Sequence, residues 1–209
     1  MKIEGEYLFN GPRPEVWALV RDPAVLATAL PGTQSLEKVS DNEYMGEMHV
    51  RVGPVAGAFA GKLLVSDEVF PESFTLSVEG KGATGFANGV GRVQLAEQED
   101  GKTLMRYQGE MQIGGKLASV GQRLLDTASK SLIRQGLEAM DVALQARMQA
   151  QVEGVEVEYT PPTEAQFARG VARDMAAELL PPPRTLAIMA LVAALFTLLG
   201  YWLGRRDGD

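Results

Sequence analysis

A chain of 209 residues that contains no cysteine has no disulfide framework and no thiolate metal site or nucleophile. Its 20 Lys and Arg against 27 Asp and Glu give a net charge of −7. That balance argues against nucleic acid, which is gripped by cations that neutralise phosphates, and against a polybasic hold on anionic lipid.

The first segment, Lys2 to Asn10, alternates: Ile3, Gly5, Tyr7 and Phe9 share one face, as in a half-buried strand. The stretch MKIEGEYLF carries no apolar signal region. Asn10-Gly11-Pro12 breaks the strand, and RPEVWALVRD reads as a short helix with proline in its first turn. Asp22-Pro23 starts a second, AVLATAL, which Pro31-Gly32 ends. Alternating runs follow, with inward sets Tyr44 to Val52, Phe59 to Val69, Phe74 to Gly80, Gly91 to Leu95 and Met105 to Ile113. Their polar partners point outward, which is the habit of an antiparallel sheet with one wet face. From Leu117 the period changes to that of a helix, which continues to about Gln149. The order is one strand, two short helices, about six strands and one long helix. Segregated strands and helices make an α+β domain over residues 1–150, a curved antiparallel sheet wrapped around the long helix.

Residues 151–184 form a Pro-rich linker. Thr163 could cap a helix bearing Phe167, Val171, Met175 and Leu179 at steps of four, either amphipathic at a surface or packed on the domain. The run Leu186 to Leu203 is eighteen residues without a charge, roughly 27 Å as a helix. Arg184, Arg205 and Arg206 flank it, and Tyr201 and Trp202 stand at its end. It reads as a transmembrane anchor over 185–205. With the apolar span there, the expected location is the cell membrane, single-pass, with the N-terminal domain cytoplasmic.

The catalytic inventory is poor. The one histidine, His49, falls on an outward strand position, and no second His or Cys completes a metal set. Asp67 alone among the carboxylates is in the inward phase of its strand, either as a polar contact to a ligand or beside a bulge. Gly80-Lys81-Gly82-Ala83-Thr84-Gly85 matches a dinucleotide fingerprint by letter, but it runs into another strand rather than a helix.

Glycine is concentrated in GPVAGAFAG (53–61) and GKGATGFANGVG (80–91), each presenting one phenylalanine. These read either as bends in a curved sheet or as two mobile flaps gated by Phe59 and Phe86. The inward face mixes Met48, Met105 and Met111 with Tyr7, Phe9, Tyr44, Phe74 and Tyr107, opposite a helix face with Gly121, Ala128 and Gly136. Methionines and aromatics line adaptable apolar pockets and also fill ordinary cores. The candidate ligand-binding set is Phe9, Trp17, Leu30, Tyr44, Met48, Phe59, Leu63, Phe74, Phe86, Met105, Tyr107, Met111, Leu124, Ala128 and Leu132.

The element order resembles the START-like, helix-grip fold of the polyketide-cyclase-like superfamily. The stretches MKIEGEYLFNGPRPEVWALVRDPAVLATALPG, GAFAGKLLVSD, GKGATGFANGVGRVQL and QIGGKLASVGQRLLDTASKSL are similar to the family of the carbon monoxide dehydrogenase G subunit over about residues 1 to 150. The resemblance implies a non-catalytic accessory role beside a molybdenum-flavin dehydrogenase at the cytoplasmic membrane. Extended to a carrier, it implies a quinone, menaquinone or ubiquinone, held in an apolar cavity and passed to the respiratory chain. A pure scaffold without a ligand is the alternative. A cyclase or hydratase would need a polar pair in the cavity, for which Tyr7, Tyr44, Tyr107 and Asp67 are the groups available.

Overall fold

The computed structural model describes residues 1–153. The elements are β1 (Lys2–Phe9), α1 (Arg13–Val20), α2 (Pro23–Ala29), β2 (Thr33–Ser40), β3 (Glu43–Val52), β4 (Val55–Val69), β5 (Ser73–Gly82), β6 (Gly85–Glu97), β7 (Thr103–Gly114) and α3 (Gln122–Glu153). The expected anchor and the amphipathic segment lie outside the described residues. Among the described residues no helix is long and apolar enough to cross a membrane.

The seven strands form one antiparallel sheet in the order β1-β7-β6-β5-β4-β3-β2, and the chain has the α+β architecture expected of it. Strand β2 has no counterpart among the alternating runs, because Thr33-Gln34-Ser35-Leu36-Glu37-Lys38 does not alternate and its register with β3 shifts twice. A sheet-edge strand tolerates such irregularity, since only one side must pair. Pro23 begins α2, with Asp22 as its N-cap accepting from the Ala24 N–H at 2.8 Å.

Two open alternatives are decided, each for its plainer reading, and two expectations are corrected. The glycine-rich segments are not flaps: Val52 pairs with Val55 and Gly82 with Gly85, so each segment is a two-residue turn continuing into unbroken ladder. Asp67 does not face a ligand. It is exposed, has φ +50°, and sits where the β4–β5 register shifts between Ser66 and Val69, so it is the bulge residue. Past that bulge Val69 is half exposed rather than inward. Finally, α3 begins at Gln122 rather than Leu117: a short 3₁₀ turn covers Gly115–Val120 and Gly121 has φ +92°. A left-handed residue cannot propagate a helix, so Gly121 stands outside the helix face.

Two apolar clusters form the core. The larger joins β1, α1, α2 and the C-terminal half of α3 around Phe9, Trp17, Leu19, Tyr44, Phe74 and Leu144. The smaller holds Val52, Phe59, Leu117, Leu125 and Ala128 at the start of α3. At the first cluster, Arg21 ties three segments together. Its guanidinium donates to Glu68, to the Asp41 carbonyl at 2.9 Å and to Asn42 Oδ1 at 3.0 Å. Its own carbonyl accepts from the Tyr44 hydroxyl at 2.8 Å.

Two outcomes are expected. Tyr44 is 1% exposed, so Tyr44→Phe, which strands the Arg21 carbonyl, should cost about 1 kcal/mol in a denaturant titration, and Tyr44→Ala several times that. A second concerns Asp22. Burial raises its pKa, but hydrogen bonds from Arg147 and from the Ala24 and Val25 N–H groups outweigh burial and hold it below 3.8. A depressed carboxylate stabilises the fold above its unfolded pKa, and that contribution is lost as pH falls through the folded value. Asp22→Asn should therefore melt lower than the parent at neutral pH, with the gap closing on the acid side of 3.8. A gap constant with pH would mean that the charge contributes nothing.

Candidate functional site

Between the two clusters the sheet and α3 do not meet, and a cavity of about 480 Å³ fills the gap. All seven strands, α2 and α3 contribute to its wall. Ile3 comes from one edge of the sheet and Leu36 from the other, with Leu63, Leu76, Val78 and Val93 between them. Leu26 of α2 and Leu30, which caps its C-terminus, close one side, and Leu132, Ile133, Gly136, Leu137 and Met140 of α3 form the roof. The space exists because the inward phase carries Gly46, Gly61, Gly89, Gly91 and Gly109 where side chains would reach the helix. At Gly109 a methyl would stand 2.6 Å from the Val90 carbonyl oxygen, so the close approach of β6 and β7 itself requires glycine there.

Of the candidate set, the cavity wall contains Leu30, Tyr44, Met48, Leu63, Met105, Tyr107, Met111 and Leu132. Seven others lie elsewhere. Phe9 and Trp17 are buried in the larger core cluster, Phe9 edge-on to Tyr7 and Trp17 edge-on to Phe74 at 5.3 Å. Phe74 is thereby taken up as packing. Phe59, Ala128 and, at its margin, Leu124 belong to the smaller cluster, which seals the other end. Phe86 is in the outward phase of β6 and 42% exposed, so it cannot gate a cavity on the inner face. Aromatic content is a poor guide to the pocket here: the rings fill the ends, and aliphatic residues and glycines bound the cavity. Leu76 and Val78 stand in the inward set of their strand, so alternation alone marks them as wall residues. The contributions of β2 and α2 carry no such signal.

The cavity is almost wholly apolar. Glu47, Lys62, Arg92 and Glu110 border it but occupy outward strand positions, so their charged ends lie on the other face. Lys62, for example, pairs with Glu43 at 2.9 Å. The Tyr44 hydroxyl is committed to Arg21. The Tyr107 phenol lies over Gly5, where a methyl would stand 2.3 Å from its oxygen, and burial pushes its pKa above the ordinary value of 10. Tyr7, behind it in the core margin, is pushed up to about 12, first by burial and then by Asp141 and Glu138. Both phenols are therefore neutral hydroxyls at physiological pH. His49 is exposed on the outer face. Among the described residues no group of His, Cys, Asp and Glu is placed to hold a metal ion. The wall can desolvate an uncharged molecule, but it presents no carboxylate, imidazole or ammonium to react with one.

Solved structures share this architecture. A conserved protein from Geobacillus kaustophilus is 28% identical, with a TM-score of 0.67 over 69% of this chain and 95% of that one. The ZhuI aromatase/cyclase from Streptomyces sp. R1128 is 13% identical, with a TM-score of 0.54 over 72% of this chain and 97% of its own. A START superfamily protein from Mycobacterium smegmatis is 9% identical, with a TM-score of 0.53 over 69% of this chain and 97% of its own. These last two likenesses concern the fold. No curated protein matches the chain. The sequence profile for the carbon monoxide dehydrogenase G subunit (CoxG) matches residues 5–145, the strands, the cavity and most of α3. The chain belongs to the CoxG family, that of the carbon monoxide dehydrogenase G subunit, on a START-like fold.

Proposed function

We propose that the protein is a non-catalytic, membrane-anchored carrier that holds a quinone, menaquinone or ubiquinone, and serves a molybdenum-flavin dehydrogenase of the carbon monoxide dehydrogenase type. The observation that carries this reading is the apolar cavity of about 480 Å³ with no charged side chain turned into it. That volume falls within the roughly 300–1,000 Å³ of small-molecule sites. Burying an ionised headgroup against such a wall would cost several kcal/mol without a partner, which disfavours fatty acids and phospholipids. A quinone ring is uncharged and carries an apolar tail, so both parts suit the wall. Each methylene moved from water gains roughly 0.8 kcal/mol, enough for a few isoprene units to hold the ring out of water.

The family name supplies the partner class. The apolar run 186–203 supplies the anchor and keeps the domain beside the pool in which the quinone dissolves. The protein then acts by moving a ligand and not by changing it, in keeping with a cavity that presents only neutral hydroxyls. It would couple the dehydrogenase to the respiratory chain from the cytoplasmic side of the cell membrane.

Organic extraction and mass spectrometry of the full chain, purified in mild detergent, should recover an isoprenoid quinone near one per protein. Val78 lines the cavity and is 36% exposed there, so Val78→Trp and Leu132→Trp fill space without crossing the backbone. Each should lower the quinone content about tenfold, as loss of a buried apolar ligand implies. Quinone absent from the parent, or undiminished in both variants, removes the carrier and leaves a scaffold. Deleting residues 186–209 should move the protein from the membrane to the soluble fraction; a truncated chain that still pellets with membranes would show that the anchor is elsewhere.

A further inference from the structure

The net charge of −7 is not spread evenly. Three connections meet at one end of the sheet: the β3–β4 turn, the β5–β6 turn and the segment Gly115–Val120 that leads into α3. The Leu117 N–H donates to the Thr84 carbonyl at 2.9 Å, and a methyl on Gly53 would stand 2.9 Å from Leu124. Arg51, Lys81, Lys116 and Arg123 are exposed at this end, with the N-terminal ammonium bound to the Met111 carbonyl close by. None of these four side chains is paired with a carboxylate among the described residues. Asp126, held by Gln122 at 2.8 Å, is the one carboxylate in the first two turns of α3. Phe86 pairs with Lys81 in the ladder, and its exposed ring lies on Gly114.

The opposite end is acidic. Asp67, Glu68, Glu72, Glu97, Glu99 and Asp100 crowd the β4–β5 and β6–β7 turns and outnumber the cations there, Arg13, Arg21 and Lys102. Arg13 lies 3.9 Å from Glu72 and 3.6 Å from Glu97, and Arg21 is bound to Glu68, which places these turns together. Strands of this length separate the two ends by roughly 40 Å, several Debye lengths at physiological salt. The domain is therefore an electric dipole along its strands.

We propose that the basic end, with Phe86 at its side, seats the domain on the surface of an anionic lipid bilayer, and that the acidic end is turned away from it. Negative lipid attracts the four cations and repels the opposing carboxylates, so the two ends act in the same sense. An exposed aromatic ring next to lysine is the arrangement that settles at a headgroup boundary. Bulk charge argues against a polybasic hold, and four cations are indeed too few to anchor the chain by themselves; they suffice to orient a domain held nearby. The seating rests on the membrane tether proposed above and is the same whatever the cavity carries.

The absence of native cysteine makes the test direct. The full chain, with a fluorophore on Ala118→Cys at the basic end or on Glu99→Cys at the acidic end, is reconstituted with phosphatidylcholine vesicles bearing nitroxide headgroups, with or without phosphatidylglycerol. On anionic vesicles the label at 118 should be quenched at least about twofold more than the label at 99, and the difference should vanish at high salt. Lys81→Glu with Lys116→Glu should abolish the difference while leaving the circular dichroism unchanged. Equal quenching at the two ends, stronger quenching at residue 99, or no dependence on phosphatidylglycerol overturns the proposal.

Discussion

A single α-helix, about 10 Å across with its side chains, cannot cover a sheet of seven strands that is roughly 29 Å wide. Curvature reduces the mismatch and does not remove it. The domain resolves it by filling the two ends and not the middle. At one end α1 and α2 bring Trp17, Leu19 and Leu26 against Phe9, Tyr44 and Phe74. At the other, the 3₁₀ turn before α3 inserts Leu117 beside Phe59 and Leu125. Between them the strands carry glycine on the inward phase, and α3 carries Gly136, where a methyl would come within 3.4 Å of the Ala29 carbonyl. The void is thus a consequence of layer geometry and of where bulk has been withheld.

Much of this is legible in the residues, and the remainder is hidden for physical reasons. Alternation identifies the phases of β1, β3, β5 and β7, because one face is wet and the other dry along nearly their full lengths. The change of period at Leu117 locates α3 to within a few residues, since helical spacing does not distinguish a 3₁₀ turn ended by Gly121 from the first turn of an α-helix. Strand β2 leaves no trace, because an edge strand with two register shifts need not alternate. The cavity wall is half visible. Phase can say that Tyr107 and Phe74 both point inward, but not that Trp17 lies edge-on to one of them and leaves the other against empty space. That depends on which helix arrives above each strand, and nothing in a strand's own residues encodes it.

The corner at Arg21 shows how the filled end is held. One guanidinium binds the β2–β3 turn and the bulged end of β4, while the carbonyl of the same residue receives the Tyr44 hydroxyl. One residue thus joins α1 to β3, β4 and the β2–β3 turn, and Asp22 beside it caps α2 and binds Arg147 near the end of α3. The helix that bounds the cavity on one side is in this way fixed at its N-terminus, while at its other end Leu30 turns an apolar side chain to the void.

Four of the side chains around the void, Met48, Met105, Met111 and Met140, end in thioethers. An unbranched side chain with three soft torsions changes its outline at little cost, and its sulfur is polarisable. Such a wall would mould itself to an occupant, so contour would discriminate poorly among guests of similar bulk, whereas a formal charge would be refused. Selection by polarity rather than by outline follows, and the same four sulfurs are where an oxidant reaching the interior would turn a greasy surface into a wet one.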